Sequence, residues 1–107
     1  MKNRKIKTIL AELRSSFEAL YGDRLVSIIL FGSHARGHAE QGSDIDVLVV
    51  LKDAVNPGTE ITRTSEIRSA LSLKYDVVVS CIYVSAERYQ TEQSPLLINI
   101  RREGVPA

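Results

Sequence analysis

One cysteine, Cys81, leaves the chain without a partner for an internal disulfide and makes a reducing compartment, the cytoplasm, the simplest context. Its setting, "VVVSCIYV", reads as a buried structural thiol rather than a reactive one. No apolar run approaches the roughly 20 residues that span a bilayer, so no membrane role is expected. The basic start "MKNRKIKTILAEL" lacks the continuous apolar core and small-residue cleavage site of a signal peptide. The net charge is only +1, which gives bulk electrostatics no hold on a polyanion, and no direct nucleic-acid partner is expected. The lysine and glycine spacing of a Walker loop is missing, as is any GxGxxG run. Repeats, linkers and low-complexity segments are missing too.

What is present fits one α/β domain over residues 1–107, with 44% hydrophobic residues. Ile6, Ile9, Leu10, Leu13, Phe17 and Leu20 recur at the spacing of one helical face, predicting a helix over about 5–21 that stops at Gly22. Lys2, Arg4, Lys5 and Lys7 read as the solvated start of that helix. Three apolar, β-branched runs, 25–31, 47–51 and 76–84, predict strands buried on both faces. Between the second and third lies the turn Asn56-Pro57-Gly58. A helical pattern over 59–75 follows, with Thr59 as its N-cap and Ile61, Ile67, Ala70 and Leu71 inward. Ser94-Pro95 opens a last helix that packs through Leu96, Leu97 and Ile100 and stops at Gly104 and Pro106.

Strands joined through a helix run parallel if they are neighbours, so the starts of the second and third share one edge of the sheet. Asp44 and Asp46 stand at one start and Asp76 at the other. If the first two strands are antiparallel, Gly32-Ser33 at the end of the first reaches the same rim. Asp44 and Asp46, two apart, point to one side while Ile45 points into packing. Three carboxylates gathered there repel one another unless a cation joins them, and all-oxygen ligands suit a hard ion such as magnesium together with phosphate. Gly32 allows close backbone approach, Ser33 opens a short helical turn, and Arg36 adds a charge-assisted phosphate contact. Taken singly, each piece has an ordinary explanation: Asp-x-Asp and "QGSD" are common turn chemistry, and His34 and His38 read as exposed loop histidines rather than zinc ligands. Their conjunction points to a phosphate and metal site.

"GS", ten residues and "DID", within "GSHARGHAEQGSDIDVLVV", resemble the signature of the DNA polymerase beta-like nucleotidyltransferase superfamily and look like its minimal, MNT-type branch. "YDVVVSCIYV" and the ending "SPLLINIRREGV" extend the resemblance over about residues 25 to 105. It implies a small mixed sheet flanked by helices. It implies that Asp44 and Asp46 hold two magnesium ions, that Asp76 completes one metal site and helps activate an acceptor hydroxyl, and that Gly32, Ser33 and Arg36 hold the triphosphate of ATP. Nucleotidyl transfer is the implied reaction.

Short members of this kind are often antitoxins paired with a helical HEPN ribonuclease toxin, and some transfer AMP to a tyrosine of that toxin. The chain ends soon after its third strand, so the acceptor is expected to arrive as a folded partner, and a HEPN-type toxin is the leading one. Two alternatives stay open. One is transfer to a small hydroxylated molecule in a pocket completed by homo-oligomerisation, and the other is an antitoxin that neutralises by binding alone. Among the tyrosines available for a partner surface, Tyr75 and Tyr83 are expected to pack beside the third strand, unlike Tyr21 and Tyr89.

Overall fold

A computed structural model describes residues 2–37, 39 and 44–107; His38 and the side chains of Lys2 and Arg4 lie outside the described residues. The apolar spacing of the first segment makes helix α1, Lys2–Tyr21. Ile9, Leu13 and Phe17, four apart, are fully buried, with Leu10 and Tyr21 beside them. Leu20, expected on this face, is 41% exposed, because the four-residue step from Phe17 lands on Tyr21. The Phe17 and Tyr21 rings meet edge to face with centroids 5.9 Å apart. Gly22 turns the chain at φ +55°, and a 3-10 turn, Gly22–Arg24, leads into strand β1, Leu25–Phe31.

Strand β2, Ile45–Leu51, pairs antiparallel with β1 from Leu25↔Leu51 to Phe31↔Asp46. Strand β3, Val79–Ser85, pairs parallel with β2, with Ile45 level with Val79 and Asp46 level with Ser80. A two-residue strand β4, Val105–Pro106, adds to the other side of β1, giving the order β3-β2-β1-β4. The sheet's period of two divides its core. Ile28, Leu30, Ile45, Val47, Val49, Leu51 and Tyr83 pack on the α1 side, while Ile29, Leu48, Val50 and Val84 pack on the other. Strand β2 is thus buried on both faces, as its composition requires.

The crossover from β2 to β3 is two helices rather than one: α3, Pro57–Arg63, and α4, Ser65–Tyr75. Asn56, not Thr59, is the N-cap of α3, its Oδ1 accepting from the Thr59 N–H at 3.1 Å with Pro57 in the first turn. The break falls at Thr64, whose hydroxyl donates to the Glu60 carbonyl at 2.9 Å and meets the Tyr83 hydroxyl. The break resets the helical phase, so Leu71 is buried while Ile61 and Ala70, expected inward, are exposed. Ser85 caps α5, Ala86–Thr91, a helix with no clear apolar spacing in the sequence. Helix α6, Pro95–Glu103, is capped by Ser94 as read, and buries Leu97 and Ile100 on the second face, but Leu96 is 43% exposed. Tyr83 packs in the core as expected and Tyr75 partly so. Cys81 sits on the α1 side of β3, where burial pushes its thiol up to about 11. No helix among the described residues is long and apolar enough to cross a membrane.

Among the described residues one charged side chain is deeply buried. Glu60 accepts hydrogen bonds from the Tyr21 hydroxyl at 2.7 Å, Arg24 Nη1 at 3.0 Å and Arg63 Nε at 3.0 Å, tying α3 to the end of α1 and the entry to β1. Burial pushes the carboxyl up, but the bonds from Tyr21 and Arg24 and the charges of Arg24 and Arg63 outweigh it and hold it below the ordinary glutamate value. A depressed carboxylate contributes stability above its unfolded-state pKa and loses it as pH falls through the folded one. Glu60→Ala is therefore expected to cost about 2 kcal/mol in urea unfolding at neutral pH, since it leaves Tyr21 and two guanidiniums without their acceptor. The difference from the native protein should shrink as acid protonates Glu60, and a gap of constant size between about pH 3 and 7 would contradict this account.

Candidate active site

The site begins where β1 stops. Phe31 is level with Asp46 across the ladder, and the next residue, Gly32, turns out of the strand at φ +78° and ψ −155°. Two independent constraints demand glycine there. The positive φ disfavours any side chain, and a Cβ would stand 2.5 Å from Asp46 Oδ2. The backbone thus lies directly against the carboxylate. One helical turn, α2, Ser33–Arg36, follows, with the Arg36 N–H bonded to the Gly32 carbonyl at 3.2 Å and Gly37 closing it at φ +74°.

Asp44 stands exposed just before β2 and Asp46 half-buried as its second residue. By the alternation of β2, Asp46 lies on the face of Leu48 and Val50, toward α6, while Ile45 is fully buried on the α1 face. Burial, then the Asp44 carboxylate, push the Asp46 carboxyl above its ordinary range, against the pull of His34 and Arg36. The structure therefore gathers Gly32, Asp44, Asp46, His34 and Arg36, with Ser33 at the start of the intervening turn. Sequence reasoning left His34 as an exposed loop residue. Its position one step after Ser33 in a turn that runs past Asp46 is the signal that could have placed it.

Asp76 does not start a strand, and among the described residues it makes no metal-holding group of three with Asp44 and Asp46. It caps α4 in the left-handed conformation, φ +53°, its N–H bonded to the Ser72 carbonyl. A residue spent on ending a helix in that conformation does not continue into a strand, so β3 starts at Val79 rather than at 76. The β3 residue level with Asp46 is Ser80, and with Ile82 and Val84 on the α6 side, the same alternation puts Ser80 there also. Among the described residues no group of three or more His, Cys, Asp or Glu side chains could hold a metal ion. Two neighbouring carboxylates with hard oxygen donors still fit magnesium, which takes one or two carboxylates and fills its remaining positions with water and substrate phosphates. A cation would also relieve the Asp44 repulsion that adds to burial in lifting the Asp46 pKa.

Beside Gly32, a cleft of about 220 Å³ opens between Phe31, Arg36 and the α6 residues Leu96, Asn99, Ile100 and Glu103. Arg36 Nη1 lies 3.8 Å from Glu103 Oε2 across it.

Residues 6–106 match the nucleotidyltransferase domain family. The chain belongs to that family. A Methanocaldococcus jannaschii protein provisionally named protein adenylyltransferase is 38% identical over 101 residues, covering 94% of this chain and 60% of its own length. The chain thus spans less than two thirds of that relative. Among solved structures, a toxin–antitoxin crystallised with AMP-PNP aligns over 99% of this chain and 72% of its own, with a TM-score of 0.60 and 21% identity. A tri-AMPylated Shewanella oneidensis HEPN toxin in complex with MNT antitoxin aligns over 99% and 71%, with a TM-score of 0.53 and 21% identity. At these identities the structural likeness carries the fold, a four-stranded mixed sheet flanked by helices.

A raised carboxyl pKa means that the folded protein holds the Asp46 proton more tightly than the unfolded chain does. The charged form then costs stability at neutral pH, and the cost disappears as pH falls through the raised value. Asp46→Asn is expected to raise the melting temperature of the metal-free nucleotidyltransferase domain by a few degrees at pH 7 and by less in acid. Asp23→Asn, outside the site, serves as the control. A melting temperature lowered by Asp46→Asn would contradict this reading.

Proposed function

We propose that the chain is a magnesium-dependent nucleotidyltransferase that transfers AMP from ATP to a tyrosine hydroxyl of a HEPN-type toxin, and so acts as its antitoxin. The observation that carries this reading is the bare Gly32 backbone set directly against the Asp46 carboxylate, at the start of the turn that leads to Arg36 and beside Asp44. The kinship with provisionally named protein adenylyltransferases supports the reaction class. The fold shared with the antitoxin of an AMPylated HEPN toxin supports the partner.

Gly32 and Ser33 receive the triphosphate along the turn and Arg36 adds a cationic contact. Asp44 and Asp46 would hold two magnesium ions, which would supply charge neutralisation at the reacting phosphate. The acceptor oxygen forms a bond to the α-phosphorus, the bond to pyrophosphate breaks, and the hydroxyl proton leaves to water. Positioning and charge neutralisation account for the acceleration, so no side-chain nucleophile is needed. Asp76, which closes α4 in the left-handed conformation, is given no part in this scheme.

Co-expression with a HEPN-type toxin tests the reading by intact mass. The expected result is one or more AMP additions on the toxin, lost by at least about 100-fold with Asp44→Asn and Asp46→Asn together. Full neutralisation by this double variant would make binding alone the mechanism. Label found on a small metabolite with the toxin unmodified would make the acceptor a small molecule. Gly32→Ala should lose transfer by a similar factor while Gly58→Ala, with no neighbour of a new Cβ nearer than 3.5 Å, should keep it.

A further inference from the structure

The geometry points to Glu103 as a positioning residue that sets the resting place of Arg36 and gives it up when a triphosphate binds; this rests on the reading of the Gly32 turn as the triphosphate seat. The end of α6 has little freedom. Gly104 N–H bonds to the Ile100 carbonyl at 2.8 Å, and a Cβ on Gly104 would stand 2.6 Å from both that carbonyl oxygen and Ile29 Cγ2. The next two residues pair with Ile29 and Leu30 of β1, the strand that runs on into Gly32. Glu103 is therefore held at a constant place relative to the turn, on the sheet face that Asp46 also occupies.

Arg36 sits between carboxylates. On one side its charge is felt by Asp46, and on the other its Nη1 lies 3.8 Å from Glu103 Oε2, beyond hydrogen-bond length, with the side chains 47% and 43% exposed. An ion pair so long and so wet is worth little, and a triphosphate offers the same guanidinium more charge and paired acceptor oxygens. Exchange of Glu103 for phosphate is thus favourable, and it draws Arg36 out of the cleft beside α6 toward the turn. Removing the Glu103 charge strengthens triphosphate binding, and only through Arg36.

Calorimetric titration of magnesium with AMP-PNP into the full chain tests this. Glu103→Gln is expected to tighten binding about two- to fivefold, the range an exposed ion pair permits. On an Arg36→Ala background the same change should do nothing, and Glu87→Gln on α5 should match the native protein, excluding a general effect of net charge. Unchanged or weaker binding by Glu103→Gln, or equal tightening without Arg36, would overturn the role of Glu103. Failure of the native chain to bind AMP-PNP at all would instead overturn the triphosphate seat, and this inference with it.

Discussion

The contact between the Gly32 backbone and the Asp46 carboxylate is the constraint on which the site depends. Antiparallel pairing sets Phe31 level with Asp46, so the first residue past β1 must pass over the carboxylate with no side chain of its own. The pairing is in turn secured by β2, whose remaining residues, Val47 to Leu51, are buried on both faces. Hydrophobic burial along β2 thus sustains a local arrangement that is electrostatically unfavourable, two carboxylates close together with one half-buried. That division, with stability from the strand's body and chemistry at its end, is how small enzymes keep poorly solvated charges in place.

The opposite end of the sheet carries a different kind of polar chemistry. Glu60, Tyr21 and the two arginines surround the entry to β1, and Thr64 joins Tyr83 across the break between α3 and α4. Every buried side-chain polar atom among the described residues has a partner, so this group acts as a joint between helices and sheet. Tension between groups is concentrated at the Asp44 and Asp46 end, where a ligand can relieve it. The two clusters lie at opposite ends of β1, which lets the core be altered near Glu60 without reshaping the turn at Gly32.

The strands were legible because β-branched apolar runs bounded by Gly and Asp have few other uses, and β1 runs over the residues its composition marks, 25–31. The parallel pairing of β2 and β3 followed from the helical crossover between them, and the meeting of Gly32, Asp44 and Asp46 followed on the condition, met in the structure, that β1 and β2 run antiparallel. Asp76 was misplaced because its position before an apolar run looks the same whether it starts a strand or ends a helix. Its left-handed backbone, which selects the second, leaves no mark in the sequence. Thr59 and Asn56 are both good caps, and the proline after Asn56 is what decides between them. Strand β4 and helix α5 are too short for a periodic signal. Glu103 was invisible for another reason: its importance lies in a cleft made by residues some 70 positions apart, 31 to 36 and 96 to 103.

Cys81 gives the molecule an unplanned sensor. With its thiol lifted to about 11, on the order of one molecule in ten thousand carries a thiolate at neutral pH, so alkylating reagents meet an almost inert sulfur while β3 stays in place. Detachment of that outermost strand would return the sulfur to water and to ordinary nucleophilicity. The sole thiol is therefore a slow-reacting chemical handle on β3, present with no label added to the protein.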